Sequence, residues 1–296
     1  MPGSKPYRGR FAPSPTGPLH LGSLIAALAS YLDARHRQGT WLVRMEDLDP
    51  PREEPGAAER ILSSLEQHGL RWDETVMWQS RRLPDYARAL EQLRRGGLLF
   101  RCDCTRAMLG PDGACRGRCQ PRQGQVGDPS ALRVRVPGDC RIEFDDRLQG
   151  RQSHQLGQEW PDFVVRRKDG LDAYQLAVVV DDAAQGISHV VRGSDLLDST
   201  PRQLFLQRLL GFPGLDYCHL PVITDRGGQK LSKQNHAPPL DDDQAPDNLR
   251  SALRFLRQAE PPPDRQHCEQ ILAFAVPRWA PGRIPRALAI PAAGQV

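Results

Sequence analysis

Apolar residues in the first hundred positions switch between short extended runs and helical spacing. Residues 9–12 and 41–46 read as strands, while the segment 21–35 places its leucines on one helical face. Further helices are predicted at 57–68 and 84–95, the second of them stopped by a pair of glycines. The order strand, helix, strand, helix predicts a parallel sheet with right-handed crossovers, and therefore an α/β fold.

The pattern changes between about residues 100 and 151. Four cysteines, many glycines and two short β-like runs at 131–136 and 141–144 indicate an insertion with its own small scaffold. The α/β alternation then returns with strands predicted at 163–166, 176–180, 187–192 and 220–224, and helices at 200–210 and 248–258. Continuous apolar strands of this kind fit a sheet that is covered on both faces.

These changes of pattern divide the chain into four regions. The predicted regions are the first half of a nucleotide-binding α/β domain at 1–100, a cysteine-containing insertion at 101–160, the second half of the α/β domain at 161–245, and a C-terminal helical extension at 246–296.

Composition narrows the class of protein. The chain has 296 residues, of which 39% are hydrophobic and 26% charged, so it is long enough for two compact units of a soluble globular protein. No apolar run approaches the roughly 20 residues that span a bilayer, and the N-terminus lacks the apolar stretch of a secretory signal. We therefore expect a cytoplasmic protein without a membrane partner. A net charge of +4 neither requires nor opposes binding to a polyanion.

The basic residues are unevenly divided between two types. Only four of the 40 are lysines, and two of these, Lys230 and Lys233, lie within one tetrapeptide. An ammonium group is a compact point charge that the planar guanidinium does not replace on a phosphate. The tetrapeptide is therefore a candidate phosphate-binding segment.

A proline-rich turn precedes the first helix. Three prolines and a glycine between residues 13 and 18 fix the turn, so a helix begins near His20 with unpaired backbone N–H groups that suit a phosphate. Gly22 has no Cβ and would let a flat ring approach the backbone, with His20 as a donor beside it. The alternative is a structural turn with an ordinary surface histidine.

Two of these segments resemble signatures of the class I aminoacyl-tRNA synthetases. Residues 12–17 with His20-Leu21-Gly22-Ser23 are similar to the HIGH signature in its glutamyl form, and Lys230-Leu231-Ser232-Lys233-Gln234 is similar to the KMSKS signature. The two lie in the expected order about 210 residues apart, and the resemblance extends from about Tyr7 to Asp243. It implies a Rossmann-like catalytic domain that forms an aminoacyl adenylate from ATP.

The resemblance also implies roles for individual residues. His20, Gly22 and Lys233 would bind ATP, with Lys230 in support, and Mg²⁺ would accompany the ATP. His20 and the two lysines would be catalytic. The residues implied to bind L-glutamate are Arg10, Phe11, Ala12, Pro13, Ser14, Glu46, Tyr174 and Arg192. Glu46 would take the amino group, and Tyr174 with Arg192 the side chain.

The residues alone support part of this assignment. Arg10, Glu46 and Arg192 each lie at the end of a predicted strand, and ligands of α/β proteins gather beyond the carboxyl ends of strands. A bidentate arginine prefers a carboxylate to an amide, so glutamate should be favoured over glutamine. The alternative reading for each residue is an ordinary surface ion pair.

Four cysteines form two closely spaced pairs. Cys102 and Cys104 are followed by Cys115 and Cys119 across a glycine-rich loop. Four thiolates from two short turns suit tetrahedral Zn²⁺ and leave no open position for water, so the metal would be structural. A disulfide is disfavoured in a cytoplasmic chain, and reduced thiols without metal are the alternative.

The length of the C-terminal region separates branches of the family. Roughly 60 residues follow Lys233, too few for the helical domain with which ordinary glutamyl-tRNA synthetases read the anticodon. The chain therefore resembles a truncated paralogue that activates glutamate without tRNA and attaches it to the queuosine base at the wobble position of tRNA(Asp). RNA contact would involve Arg116, Arg118 and Arg122. A synthetase that charges a tRNA 3′ end and a non-catalytic, zinc-stabilised RNA-binding module remain as alternatives.

Overall fold

The first hundred residues form the predicted parallel sheet. The computed structural model describes residues 6–110, 112–225 and 238–291. Its first elements are β1 (Arg8–Phe11), α1 (Leu21–His36), β2 (Thr40–Met45), α2 (Ala57–Gln67), β3 (Met77–Trp78) and α3 (Leu83–Arg95). The three strands are parallel in the order β1-β2-β3, as the alternating pattern predicts.

Helix α1 packs its apolar face into the main core. Leu24, Leu28 and Leu32 are fully buried there. The helix ends before Gly39, where a Cβ would lie 2.6 Å from the carbonyl oxygen of Tyr7, so only glycine fits this close approach. The turn thereby returns the chain to β2 beside β1.

The cysteine-rich region contributes a separate antiparallel sheet. It contains β4 (Leu99–Cys102), β5 (Ala131–Arg135), β6 (Ile142–Asp146), β7 (Gly150–His154), the short α4 (Leu156–Glu159) and β8 (Asp162–Arg166). Strands β4, β5 and β8 pair in that order, whereas β6 and β7 form an antiparallel hairpin that belongs to a different, four-stranded sheet. Strand β8 thus pairs across the region boundary predicted at residue 160, and the four-region division stays a prediction.

The segment after β8 supplies the remaining strands of the four-stranded sheet. Its elements are α5 (Tyr174–Ala184), β9 (His189–Gly193), α6 (Thr200–Leu210), β10 (Asp216–Leu220) and β11 (Val222–Thr224). The four-stranded sheet has the order β7-β6-β10-β9, and strand β10 is parallel to both β9 and β6. The backbone N–H of Ser188 donates to the carbonyl of Arg8 at 2.9 Å and brings β9 beside β1.

Two predicted strands differ from the structure. The strand expected at 176–180 is wrong, because these residues lie within helix α5. All five are buried, and an apolar run that is buried on every side carries neither strand nor helix periodicity. The strand expected at 220–224 is divided at Pro221, whose missing N–H ends the ladder of β10 before β11 begins.

The C-terminal region packs against the first helix. It consists of α7 (Ala245–Phe255), α8 (Cys268–Ala275) and β12 (Ala289–Pro291), which pairs in parallel with β11. Leu249, Leu253 and Ile271 belong to the same core as α1. Within the described ranges, no helix has the length and apolar character needed to cross a membrane.

Candidate active site

Two neighbouring cavities lie beyond the carboxyl ends of β1, β2 and β9. The smaller has a volume of about 180 Å³ and lies against the start of α1, with His20 and Gly22 in its wall. The larger has a volume of about 300 Å³ and contains most of the residues predicted to bind glutamate. Ala26 and Gly193 line both cavities, so ligands in the two would be immediate neighbours.

The start of α1 is held by a reciprocal cap. The backbone N–H of Ser23 donates to Nδ1 of His20 at 3.3 Å, and the N–H of His20 donates to Oγ of Ser23 at 2.8 Å. Because Nδ1 accepts this hydrogen bond, a neutral ring carries its proton on Nε2. The cap therefore orients the imidazole as a donor at a helix N-terminus, which suits a phosphate oxygen.

Gly22 provides the space for this arrangement. A Cβ at this position would lie 3.0 Å from Cε1 of His20 and 3.2 Å from Cγ2 of Ile223. The glycine thus lets the His20 ring and strand β11 close on the helix start. Lys230 and Lys233 lie outside the described residues, so their predicted roles stay predictions.

A buried network of charges supports the larger cavity. Nε and Nη2 of Arg10 donate to the two carboxylate oxygens of Asp182 at 3.1 and 3.3 Å. Nη1 of Arg44 donates to Oδ1 of Asp182 at 2.8 Å, and its Nη2 donates to Oε1 of Glu46 at 3.2 Å. The two arginines together hold the pKa of Asp182 below its usual range, although burial alone would raise it.

Glu46 stands at the cavity end of this network. Its side chain is 9% exposed, and burial raises its pKa more than the nearby Arg44 and Arg10 lower it. Its backbone N–H donates to the carbonyl of Pro13 at 2.9 Å, which ties the end of β2 to the proline-rich turn. A cationic amino group beside Glu46 would complete the pairing of its carboxylate.

Arg192 enters the same cavity from β9 with a different set of partners. It is 5% exposed, and its Nε donates to Nε2 of His219 at 3.0 Å. Nη2 donates to Oγ1 of Thr200 at 2.9 Å and to Oε1 of Gln203 at 2.8 Å. Among the described residues, no carboxylate forms an ion pair with this guanidinium. A buried cation whose partners are all neutral is matched to an anionic ligand.

Tyr174 lies at the first turn of α5, against Arg192. Its hydroxyl oxygen accepts from Nη1 of Arg192 at 3.4 Å. Burial is the main cause of its raised pKa, so the hydroxyl stays neutral and does not compensate the charge of Arg192.

The structure brings most of the predicted residues together. Those lining the larger cavity are Arg10, Phe11, Ala12, Ser14, Glu46, Tyr174 and Arg192. Pro13 does not line this cavity, and its carbonyl accepts from the backbone N–H of Glu46. Sequence reasoning missed Arg44, Asp182 and His219. A signal for Asp182 was present, because Asp181 and Asp182 directly follow an apolar run. If that run is taken as a helix that packs on the strands carrying Arg10 and Arg44, a buried ion pair is expected.

The four cysteines converge as predicted. Their sulfur atoms lie within 4.8 Å of one another, and all four side chains are buried. Sγ of Cys104 is 3.7 Å from Sγ of Cys115 and 3.5 Å from Sγ of Cys119. Four thiolates at about 2.3 Å from a tetrahedral zinc are about 3.8 Å apart, so the residues fit a metal such as zinc.

Aspartate side chains support the cysteine loops from outside. The backbone N–H groups of Cys115 and Arg116 donate to Asp162 at 2.9 and 2.7 Å.

Of the three arginines predicted to contact RNA, Arg116 pairs with Asp112 and Arg122 pairs with Asp103. Arg118 donates to the carbonyl of Met108. Their RNA contact stays a prediction.

Similarity to known proteins supports this assignment of the fold. Residues 7–258 match the family model of the catalytic domain of class I tRNA synthetases (E and Q). A glutamyl-Q tRNA(Asp) synthetase from Pseudomonas fluorescens is 52% identical over 293 residues, which cover 98% of this chain and 97% of that protein. One from Methylococcus capsulatus is 53% identical over 285 residues, covering 95% and 94% of the two chains.

A crystal structure shows the same architecture. The glutamate-tRNA synthetase from Elizabethkingia anophelis superposes with a TM-score of 0.79 at 25% identity, and the match covers 96% of this chain and 68% of that one. The two signatures, the paired cavities and these similarities agree with one another. The chain therefore belongs to the glutamyl and glutaminyl class I synthetase family, in the group of the glutamyl-Q tRNA(Asp) synthetases.

Proposed function

We propose that this protein activates L-glutamate with ATP in the absence of tRNA and transfers the glutamyl group to the queuosine base at the wobble position of tRNA(Asp). The observation that carries the proposal is Arg192, a buried cation with only neutral partners among the described residues. It faces a cavity that adjoins a second cavity at a helix N-terminus. An acidic amino acid and a nucleotide would be held side by side.

Activation needs positioning more than a protein nucleophile. The α-carboxylate of glutamate attacks the α-phosphorus of ATP in line, a carboxylate–phosphorus bond forms, and pyrophosphate leaves with the broken bond's electron pair. His20, as a donor at the helix start, would bind a triphosphate oxygen, and Lys233 with Lys230 would neutralise the charge that develops. Mg²⁺ bound with ATP would supply further neutralisation.

The larger cavity orients glutamate for this attack. Glu46 would accept the amino group, Arg192 and Tyr174 would bind the side-chain carboxylate, and the segment from Arg10 to Ser14 would lie along the substrate. Because Arg192 donates to neutral groups only, a glutamine amide would leave its charge unbalanced in a buried site. Selectivity for glutamate over glutamine follows.

Transfer to RNA is the second half of the proposal. The partner is tRNA(Asp) carrying queuosine, which would approach with contacts from Arg116, Arg118 and Arg122, and AMP would leave as the glutamyl group moves to the base. The zinc held by the four cysteines would be structural, because four thiolate ligands fill a tetrahedral site. We propose that the protein works in the cytoplasm.

The decisive experiment measures exchange between pyrophosphate and ATP. We expect exchange that depends on glutamate and proceeds without tRNA, followed by transfer of labelled glutamate to tRNA(Asp) only when queuosine is present. The variants His20→Ala and Lys233→Ala should lower exchange by about a hundredfold or more.

Three results would contradict the proposal. Exchange that requires tRNA, or label recovered on the 3′-terminal adenosine, would indicate a conventional tRNA-charging synthetase. Full RNA-dependent function in both alanine variants would indicate a non-catalytic RNA-binding module.

A further inference from the structure

The guanidinium of Arg192 is held in place by a second pair of buried residues on neighbouring strands. His219 lies on β10 directly opposite Arg192 on β9, and it is 0% exposed. Its Nε2 is 3.0 Å from Nε of Arg192, and its Nδ1 is 2.6 Å from Oδ2 of Asp146 on β6. The three side chains form a continuous line across three adjacent strands.

This line fixes the tautomer of His219. A guanidinium can only donate, so Nε2 must be the acceptor and the proton must lie on Nδ1, where it is donated to Asp146. Burial lowers the pKa of His219 against the opposing effect of the Asp146 hydrogen bond, which agrees with a neutral ring. Oγ1 of Thr200, 3.1 Å from the same Nε2, bridges the ring to Nη2 of Arg192.

The charge of Asp146 is taken up by groups other than Arg192. Its Oδ1 accepts from the backbone N–H groups of Leu148 at 3.0 Å and Gln149 at 2.8 Å. The backbone N–H of His219 donates to the same carboxylate at 3.1 Å. A neutral imidazole therefore separates the carboxylate from the guanidinium, and Arg192 is oriented without being neutralised.

We propose that His219, held by Asp146, is a positioning residue that sets the affinity of the larger cavity for an acidic side chain and its selectivity for glutamate over glutamine. The inference rests on the proposed function for the identity of the ligand. A carboxylate in place of the imidazole would also orient the arginine but would cancel the charge needed for the substrate. A neutral acceptor satisfies both requirements.

Two variants of one residue separate the two contacts of His219. In His219→Asn the amide N–H₂ replaces Nδ1, so the bond to Asp146 is kept while the acceptor for Arg192 is lost. In His219→Gln the amide oxygen replaces Nε2, so the acceptor for Arg192 is kept. His189→Asn is the matched control, since His189 lies at the far end of the same strand pair and also has an aspartate neighbour, Asp216.

We expect His219→Asn to raise the KM for glutamate about tenfold or more while the KM for ATP stays within about twofold, because a hydrogen bond to a charged group is lost in one cavity only. Discrimination against glutamine should fall in the same variant. His219→Gln should recover most of the glutamate affinity, and His189→Asn should resemble the unaltered protein.

The readouts distinguish positioning from a structural role. A KM for glutamate unchanged in His219→Asn would overturn the inference. Equal losses in both His219 variants, together with a lowered melting temperature and a raised KM for ATP, would overturn it as well. Calorimetric titration of glutamate into all four proteins separates this inference from the proposed function. If the unaltered protein shows no exchange but binds glutamate, weaker binding to His219→Asn alone still supports positioning of Arg192.

Discussion

Arg10 and Arg192 line the same cavity but differ in what they contact. Both are almost fully buried, at 4% and 5% exposure. Arg10 is bonded through two nitrogens to Asp182, which also binds Arg44. Arg192 donates to an imidazole, a hydroxyl, an amide and a carbonyl, all of them neutral.

This difference distinguishes an arginine that stabilises the fold from an arginine that is available to bind a ligand. A buried arginine with a carboxylate partner has its charge compensated within the protein, so its removal leaves that carboxylate uncompensated. A buried arginine with neutral partners keeps its charge for a ligand. We therefore expect substitutions at Arg192 to affect activity and substitutions around Asp182 to affect stability.

The largest effect is expected at Arg192. Arg192→Gln should lower kcat/KM for glutamate in the exchange reaction by about a hundredfold to a thousandfold, because the buried partner of the substrate carboxylate is lost. Arg192→Lys should lie between this variant and the unaltered protein, since it keeps the charge but loses the planar fork. The comparison fails if Arg192→Gln lowers the free energy of unfolding by more than the loss of transition-state stabilisation calculated from its kcat/KM.

Loss of the carboxylate shared by Arg10 and Arg44 should lower stability. Asp182→Asn leaves Arg10 and Arg44 buried without their shared carboxylate, so we expect a loss of about 3 kcal/mol in the free energy of unfolding. Urea denaturation measures this loss, with Asp139→Asn, at an exposed aspartate, as the control. A stability equal to that of the control would show that Asp182 does not hold the framework.

A further ion pair, between the buried Asp33 and the partly exposed Arg147, tests the same argument through its pH dependence. Arg147 donates to both oxygens of Asp33, which also accepts from Tyr7 and Trp279. Burial would raise the pKa of Asp33, but these donors lower it to about 2. The unfolded pKa is about 3.9, so the pair stabilises the fold fully above that pH, and the stabilisation declines as the pH falls towards 2.

The variant Asp33→Asn tests this dependence. We expect it to lose about 2 kcal/mol of unfolding free energy at pH 7, and about half of that difference from the unaltered protein should disappear by pH 3. A difference that is constant between pH 7 and pH 3 would contradict the assignment.

The smallest effect on activation is expected at the cysteine cluster. None of its four residues lines either cavity, so Cys102→Ser should reduce bound zinc from about one equivalent to none while glutamate-dependent exchange changes less than about threefold. Cys140→Ser is the control and should keep the metal. Metal analysis that finds no zinc in the unaltered protein would refute the site.

Local sequence patterns account for those parts of the molecule that short segments encode. The first sheet, the helix start at His20 and the cysteine pairs follow from periodicity, turn residues and spacing within short segments. The resemblance of the two motifs added the family and most of the cavity residues. These features are readable because each is encoded within a few consecutive residues.

The contacts between charged side chains, in contrast, form only in the folded chain. Residues 176–180 form a helix because burial on all sides removes any periodic signal, and that helix directs Asp182 at Arg10 and Arg44. His219 and Asp146 reach Arg192 only because β6, β10 and β9 lie side by side in one sheet. One arginine has its charge compensated by a carboxylate of the protein, and the other does not. This difference depends on contacts between residues that are distant in the chain, and no local pattern records them.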